Sequence, residues 1–168
     1  MEARLVSGEA LELLTVKAKG SMKHFQLPKD VRRAWHELQA IVERDGVEWT
    51  ERNIGYVLIP QWITEPQEEL ELRVGIRIGR GERTPDGTER LHIPARTYAL
   101  LPCRGDREQM NHAYAWIDEW IAREGLKKDT GDGVFGMEPN RLIPVNPFDI
   151  PADTIDRFDY DIMIAVKE

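Results

Sequence analysis

Apolar residues recur along this chain with two different periods, and the switches between them outline its elements. From Pro28 to Gly46 the apolar positions are Val31, Ala34, Trp35, Leu38, Ile41 and Val42. Their spacings of three and four form one stripe of a helix, which Pro28 opens and Gly46 stops. A second stripe, Met110, Ala113, Tyr114, Ile117, Trp120 and Ile121, predicts another helix that ends at Gly125. Asp106 is its cap, and Gln109 three residues later completes a capping box. Period two marks two strands. Leu70, Leu72, Val74, Ile76 and Ile78 alternate with Glu69, Glu71, Arg73 and Arg77, and Phe158, Tyr160, Ile162, Ile164 and Val166 alternate with Asp159, Asp161, Met163 and Ala165. Apolar runs over 10–18, 54–59 and 90–102 predict three further strands, with Thr84-Pro85-Asp86-Gly87 as a turn. The polar stretch 126–133 reads as a loop, and a weaker strand is expected near 134–145.

Strand, helix, strand, strand is thus predicted twice. Met110 lies 79 residues after Val31, and the same displacement carries Ala34 to Ala113, Trp35 to Tyr114, Leu38 to Ile117, Ile41 to Trp120, Val42 to Ile121 and Gly46 to Gly125. It also carries Tyr56 to Phe135 and Leu58 to Met137. Six stripe positions and a terminator in one register point to an internal duplication. The expected fold is therefore α+β. It is one domain over 1–168, with two pseudo-symmetric strand-helix-strand-strand halves of about 1–82 and 83–168. Antiparallel sheets and two long helices would leave a central pocket at the seam between the halves.

Composition narrows the functions this fold serves. The 168 residues carry 23 Lys plus Arg against 30 Asp plus Glu, a net charge of −7. Such a surface repels phosphate backbones, so direct nucleic-acid binding is not expected. The first predicted strand begins near the start of the sequence, which leaves no room before it for a helix-turn-helix reader. No run approaches the roughly 18 apolar residues of a membrane span, and the first 20 residues lack the apolar centre of a signal peptide, so no membrane association and a cytoplasmic location are expected. Cys103 is the only cysteine, which excludes an internal disulfide. The histidines at 24, 36, 92 and 112 form no i, i+4 pair and have no neighbouring cysteine. Neither a metal site nor a cofactor is expected.

Candidate ligand-binding residues come from aromatic and acidic positions near the seam. Trp35 and the related Tyr114 offer flat, polarisable faces to an aromatic or cationic ligand, or serve only to pack the core. Tyr56 and Phe135, one displacement apart, either close the other side of the pocket or pack. Trp116 stands one position off its helix's stripe, as an exposed site residue or as cover for a sheet edge. Glu138 is either a pocket carboxylate with a raised pKa or a solvated loop residue.

LRVGIRIG at 72–79, HIPARTYALLPCRGD at 92–106, NHAYAWIDEWIAREG at 111–125 and FDYDIMIAV at 158–166 together resemble the gyrase-inhibitor-like (GyrI-like) effector-binding domains. These domains also form the ligand-sensing half of multidrug-responsive transcription regulators. The resemblance implies two pseudo-symmetric halves around a hydrophobic pocket that takes lipophilic, often cationic, small molecules. It also implies a subset that hydrolyses strained electrophiles and others that bind proteins such as gyrase. Cation-binding members place a buried Glu in the penultimate strand, in a Glu-x-Tyr setting. Aligned on RLIPVNP at 141–147, this chain has Ile143 or Pro144 at that place and no Tyr after it. This departure counts against cation recognition and against hydrolysis; Glu138 is the nearest acidic substitute. The leading expectation is a stand-alone sensor or sequestering domain for a lipophilic, aromatic or cationic molecule, with no catalytic residue assigned. The alternatives are a hydrolase using Glu138 with a Tyr, and a protein-interaction module whose partner is a regulator or a topoisomerase.

Overall fold

A computed structural model describes residues 1–24 and 26–167. Its strands are β1 (Arg4–Gly8), β2 (Leu11–Ser21), β3 (Ile54–Pro60), β4 (Glu69–Arg77), β5 (Glu89–Ile93), β6 (Arg96–Gly105), β7 (Lys127–Lys128), β8 (Phe135–Arg141) and β9 (Phe158–Lys167). The helices are α1 (Gln26–Asp45) and α2 (Arg107–Arg123), and a short 3-10 turn spans Pro147–Asp149. All strand pairings are antiparallel, in the order β1-β6-β9-β8-β3-β4-β2-β5, with β7 beside β9. The result is an α+β fold in which a curled sheet carries both helices on one face.

The helices sit there because their stripes meet the alternating strands. In α1 all seven apolar stripe residues, from Leu27 to Val42, are buried against Leu14, Val16 and Ala18 of β2 and Leu72, Val74 and Ile76 of β4. In α2 Ala113, Ile117 and Ile121 are buried against Ala99 and Leu101 of β6 and Ile162, Ile164 and Val166 of β9. Asp106 accepts from the Gln109 amide at 3.0 Å and its own amide donates back to the Gln109 side chain, which fixes the start of α2. The sheet's other face curls around a third cluster that includes Leu11, Leu13, Tyr56, Leu58, Ile93, Tyr98 and Met137.

The chain runs β2-α1-β3-β4 in its first part and β6-α2-β7-β8-β9 in its second, so the second part adds the two-residue β7 to the strand-helix-strand-strand order. The inner strands of the two sets, β3 and β8, pair with each other, and Val57 faces Glu138 across the middle of that pair. The chain differs from expectation in five places, the first being the two-residue strand β7 within the stretch 126–133 that reads as a loop. The helices match at a displacement of 79, whereas the start of β8 lies 81 residues after the start of β3. The run 90–102 is two strands, broken at Pro94, which has no amide to donate to a ladder. The short strand β1, at the sheet's edge, was not anticipated. The penultimate strand is 135–141 rather than 141–147: after Arg141 the chain leaves the sheet, and the residues up to Arg157 cross the helix side as a connecting strap. The alignment on 141–147 is thereby corrected, and Glu138 stands in the middle of the penultimate strand. Among the described residues no helix is long and apolar enough to cross a membrane, and no group of three His, Cys, Asp or Glu could hold a metal ion.

Candidate functional site

Period two in β3 and β8 decides which side chains face the helices. Val57 packs with the α1 cluster, and Glu138, its register partner, points to the same side. Asn140, two residues on, and Tyr160 of β9, its partner, follow. Above them the first turns of α1 and α2 stand apart, and the strap lies across the opening. The space enclosed is a cavity of about 330 Å³. Its walls are largely apolar, with Val31 from α1, Met110 from α2, Val57 and Ile59 from β3, Leu72 from β4 and Phe148 and Ile155 from the strap. Glu138, Asn140 and Tyr160 supply polar groups on the sheet side, and Arg32 and Arg107 supply them on the helix side.

Glu138 is the centre of a small acid cluster. The Tyr114 hydroxyl, reaching in from α2, donates to Glu138 Oε2. Tyr114 keeps 37% of its surface open to solvent, but its hydroxyl end is enclosed by protein. Burial raises the Glu138 carboxyl above its ordinary range, and the Tyr114 hydrogen bond offsets part of that rise. Burial, followed by the negative charge of Glu138, holds the hydroxyls of Tyr114 and Tyr160 protonated far above the ordinary tyrosine range. The same two causes push the Cys103 thiol up to about 11, which makes it a poor nucleophile. Tyr160 lies beside Cys103, yet its buried hydroxyl has no aligned hydrogen-bond partner among the described residues. The cluster thus presents one carboxyl that accepts from a ligand when ionised, flanked by phenols that donate.

A test of this environment follows from the direction of the Glu138 shift. A carboxyl whose pKa is raised in the folded state favours folding below its unfolded pKa of about 4.3. That contribution is lost as pH rises through the folded value. Glu138→Gln removes the buried charge and keeps an acceptor for Tyr114. The variant is therefore expected to be more stable than the parent by about 1 kcal/mol at pH 7.5, roughly 2–4 °C in Tm. The gain should shrink toward zero as pH falls to about 4. Thermal melts across that range check it, and a difference independent of pH would mean that Glu138 is not held in a desolvating site.

The other sequence candidates do not line this cavity and do not come together at one site. Trp35 is 1% exposed, stacked on Phe148 at 4.6 Å and edge-on to Trp49 at 6.2 Å. It backs the cavity wall through Phe148. Tyr56 and Phe135 belong to the cluster on the opposite face. Tyr56 pairs with Pro139, one position from Val57–Glu138, so its ring projects away from the helices, and its hydroxyl donates to Glu51. Phe135 meets Trp62 in a T-shaped contact at 4.9 Å. Trp116 is half-buried at the far side of α2, near Ala3 and Trp120. Tyr114 and Glu138 are the two candidates that meet. The sequence reading missed Arg32, Arg107, Phe148 and Tyr160. Tyr160 was marked only as one member of an alternating strand, and Phe148 lies in a segment with no period.

A family model described as GyrI-like small molecule binding domain matches residues 1–141. No curated protein matches the sequence. Solved structures share the fold at low identity. The EcmrR–DNA complex aligns over 99% of this chain and 57% of that chain, with 12% identity and a TM-score of 0.75; this chain thus spans little more than half of that protein. The EcmrR C-terminal domain alone aligns over 99% and 98% of the two chains, with 12% identity and a TM-score of 0.69. SAV2435 bound to tetraphenylphosphonium aligns over 99% and 94%, with 11% identity and a TM-score of 0.59. A hydrolase from Listeria innocua aligns over 99% and 92%, with 12% identity and a TM-score of 0.53.

Proposed function

Because this chain belongs to the family of GyrI-like small molecule binding domains, we propose that the cavity between its helices binds a lipophilic small molecule, aromatic or cationic, and that Glu138 anchors it. The observation that carries this reading is a half-buried carboxyl, raised in pKa by its loss of solvent, set among apolar walls. Apolar contact supplies most of the affinity in such a site, and one or two polar groups set the orientation. Ionising Glu138 there is costly, and a ligand cation or N–H donor lowers that cost by pairing with it. Tyr114 orients the carboxyl, and Trp35, through Phe148, holds the wall against which an aromatic ring would rest. Among the structural neighbours, SAV2435 was solved with a lipophilic cation. In this reading the small molecule is the direct partner of the domain, and any regulator or topoisomerase would respond to its liganded state.

Tetraphenylphosphonium is a direct probe. Titrated into the intact chain, it should quench tryptophan fluorescence saturably, because Trp35 stacks on a cavity-lining ring. Glu138→Gln should weaken binding by about 10–100-fold, the worth of a desolvated charge contact. No quenching at high micromolar concentration would sink the reading, and unchanged affinity in the variant would remove Glu138 from it.

The contact between Tyr114 and Glu138 favours one second reading, hydrolysis of a strained electrophile such as an aryl epoxide. Glu138 would take a proton from water as the water oxygen bonds to the ring carbon, and a phenol, Tyr114 or Tyr160, would donate its proton to the departing oxygen. The presence of a hydrolase among the structural neighbours is consistent with this. Styrene oxide consumed no faster with the protein than in buffer would dismiss it.

A further inference from the structure

We propose that the binding site extends past Tyr114 into a second compartment, which takes the straight aliphatic tail of a ligand whose bulky cationic head sits at Glu138. This rests on the reading of the first cavity as a small-molecule site and adds the shape of its ligand, a head with a thin tail. The second space has a volume of about 370 Å³ and lies between α2, the end of β3 with the loop after it, and the turn from β7 to β8. Ile59 lines both cavities. Its register partner is Gly136, which stands two residues before Glu138 on β8 and lies on the floor of the second space. Two residues of a strand span about 7 Å, so the compartments follow one another along the same face of the β3–β8 pair. Tyr114 stands at the neck between them. Its ring lines the second cavity, while its hydroxyl donates to Glu138 Oε2 in the first.

The walls of this compartment select the tail. Ile59, Pro60, Ile63 and Ile164 are aliphatic. No carboxylate is among the described lining residues, so a second cation would have no partner there. Gly136 keeps the floor low, since a Cβ at that position would stand 2.8 Å from Gln61 Oε1. Gln61 is held in place. Its amide nitrogen donates to the carbonyls of Asp129 and Ala165 at 2.9 and 3.0 Å, and its oxygen accepts from the Ala165 amide at 2.8 Å. It is a fixed wall, and the exposed Thr64 and Thr130 form a polar rim where the end of the tail meets water. Of the two Glu138 oxygens, Tyr114 takes Oε2, and among the described residues no donor takes Oε1. A short ligand can therefore pair with Oε1 and leave the neck closed. A tail entering the second space must displace the Tyr114 hydroxyl, which makes Tyr114 the residue that sets ligand length.

Methyltriphenylphosphonium and octyltriphenylphosphonium share a head and differ in tail, and calorimetric titration of both into the full chain tests this. A buried methylene is worth about fourfold in affinity. With only half of the added tail buried, the octyl compound should bind roughly 100-fold more tightly than the methyl compound. Thr64→Trp and Thr130→Trp place an indole in the second compartment from two different loops. Each should cut that ratio by about tenfold or more, and leave the affinity of the methyl compound within about twofold of the parent's. Tyr114→Phe keeps the ring but lacks the hydroxyl that ties it to Glu138, so the ratio should rise by about threefold or more. A merely structural Tyr114 would change both affinities together and leave the ratio unmoved, which overturns its part in the proposal. A parent ratio below about tenfold, or one that neither tryptophan variant lowers, puts the tail outside this space and overturns the proposal while the cavity reading survives. Failure of both compounds and of tetraphenylphosphonium to bind rejects the cavity reading itself. Melting curves of each variant separate a filled compartment from a lost fold.

Discussion

Trp35→Ala is expected to cost about 3–5 kcal/mol of folding stability, the usual range for a fully buried aromatic side chain cut back to a methyl. The indole is 1% exposed at the centre of the α1 cluster. It holds Phe148 by stacking and Trp49 by an edge contact, and such pairs add about 0.5–1.5 kcal/mol beyond the area they bury. The hole left behind faces β3, whose paired backbone limits how far the site can collapse. In a chain of this length the loss corresponds to roughly 6–20 °C in Tm. Urea unfolding followed by circular dichroism should show a lower midpoint with an unchanged slope. Binding should weaken as well, because Phe148 forms part of the cavity wall and loses its support. A loss below about 1 kcal/mol would show that Phe148 and Trp49 close over the gap, and that the aromatic cluster is not what fixes the strap.

The fold was legible wherever a period ran long enough to choose one face. Leu70 to Ile78 and Phe158 to Val166 alternate strictly because each strand buries one side against a helix, and both were read correctly. The stripes of α1 and α2 were legible for the same reason. β1 was not, because an edge strand of five residues pairs on one side only and buries little of Arg4–Gly8. β8 was blurred by its own residues. Phe-Gly-Met-Glu-Pro-Asn-Arg contains a glycine, a proline and a charge, and its strand state comes from pairing with β3 and β9 rather than from propensity.

The same blur hid the site. Placing the penultimate strand six residues late set Ile143 or Pro144 at its centre in place of Glu138, so the strand read as carrying no acid. A displacement of 79 kept Tyr56 and Phe135 on one face, since the 81 residues between the starts of β3 and β8 differ from it by an even number. It gave no means of telling that this face is the one turned from the helices. Arg32 and Arg107 left no signal of their own. Surface arginines are common near helix starts, and these two matter only because the folded chain sets both over one cavity. The strap that completes the cavity has no period at all, and its course depends on contacts such as Arg32 to Ile150 and His36 to Phe148 that join residues more than a hundred positions apart.

Gly55→Ala tests the packing from the other side, and the sign of its effect is not that of an ordinary glycine replacement. Gly55 lies in β3 with unstrained strand geometry, so alanine fits its backbone and would, in open space, gain about 0.4–1 kcal/mol by restricting the unfolded chain. Here a Cβ would stand 2.8 Å from Trp35 Cζ3 and 2.9 Å from Phe148 Cε2. Both contacts are with rings that are stacked on each other, and neither ring can swing away alone. Overpacking of this kind costs about 1–3 kcal/mol and outweighs the backbone gain. The variant should therefore melt lower than the parent and bind cavity ligands less tightly, because Phe148 yields into the cavity. A double-mutant cycle fixes the cause. In a Trp35→Ala background the indole is gone and Phe148 is free to shift, so Gly55→Ala should become neutral or slightly stabilising, with a coupling of about 1–3 kcal/mol between the two sites. Additive losses would show that the glycine answers to the strand rather than to the rings above it.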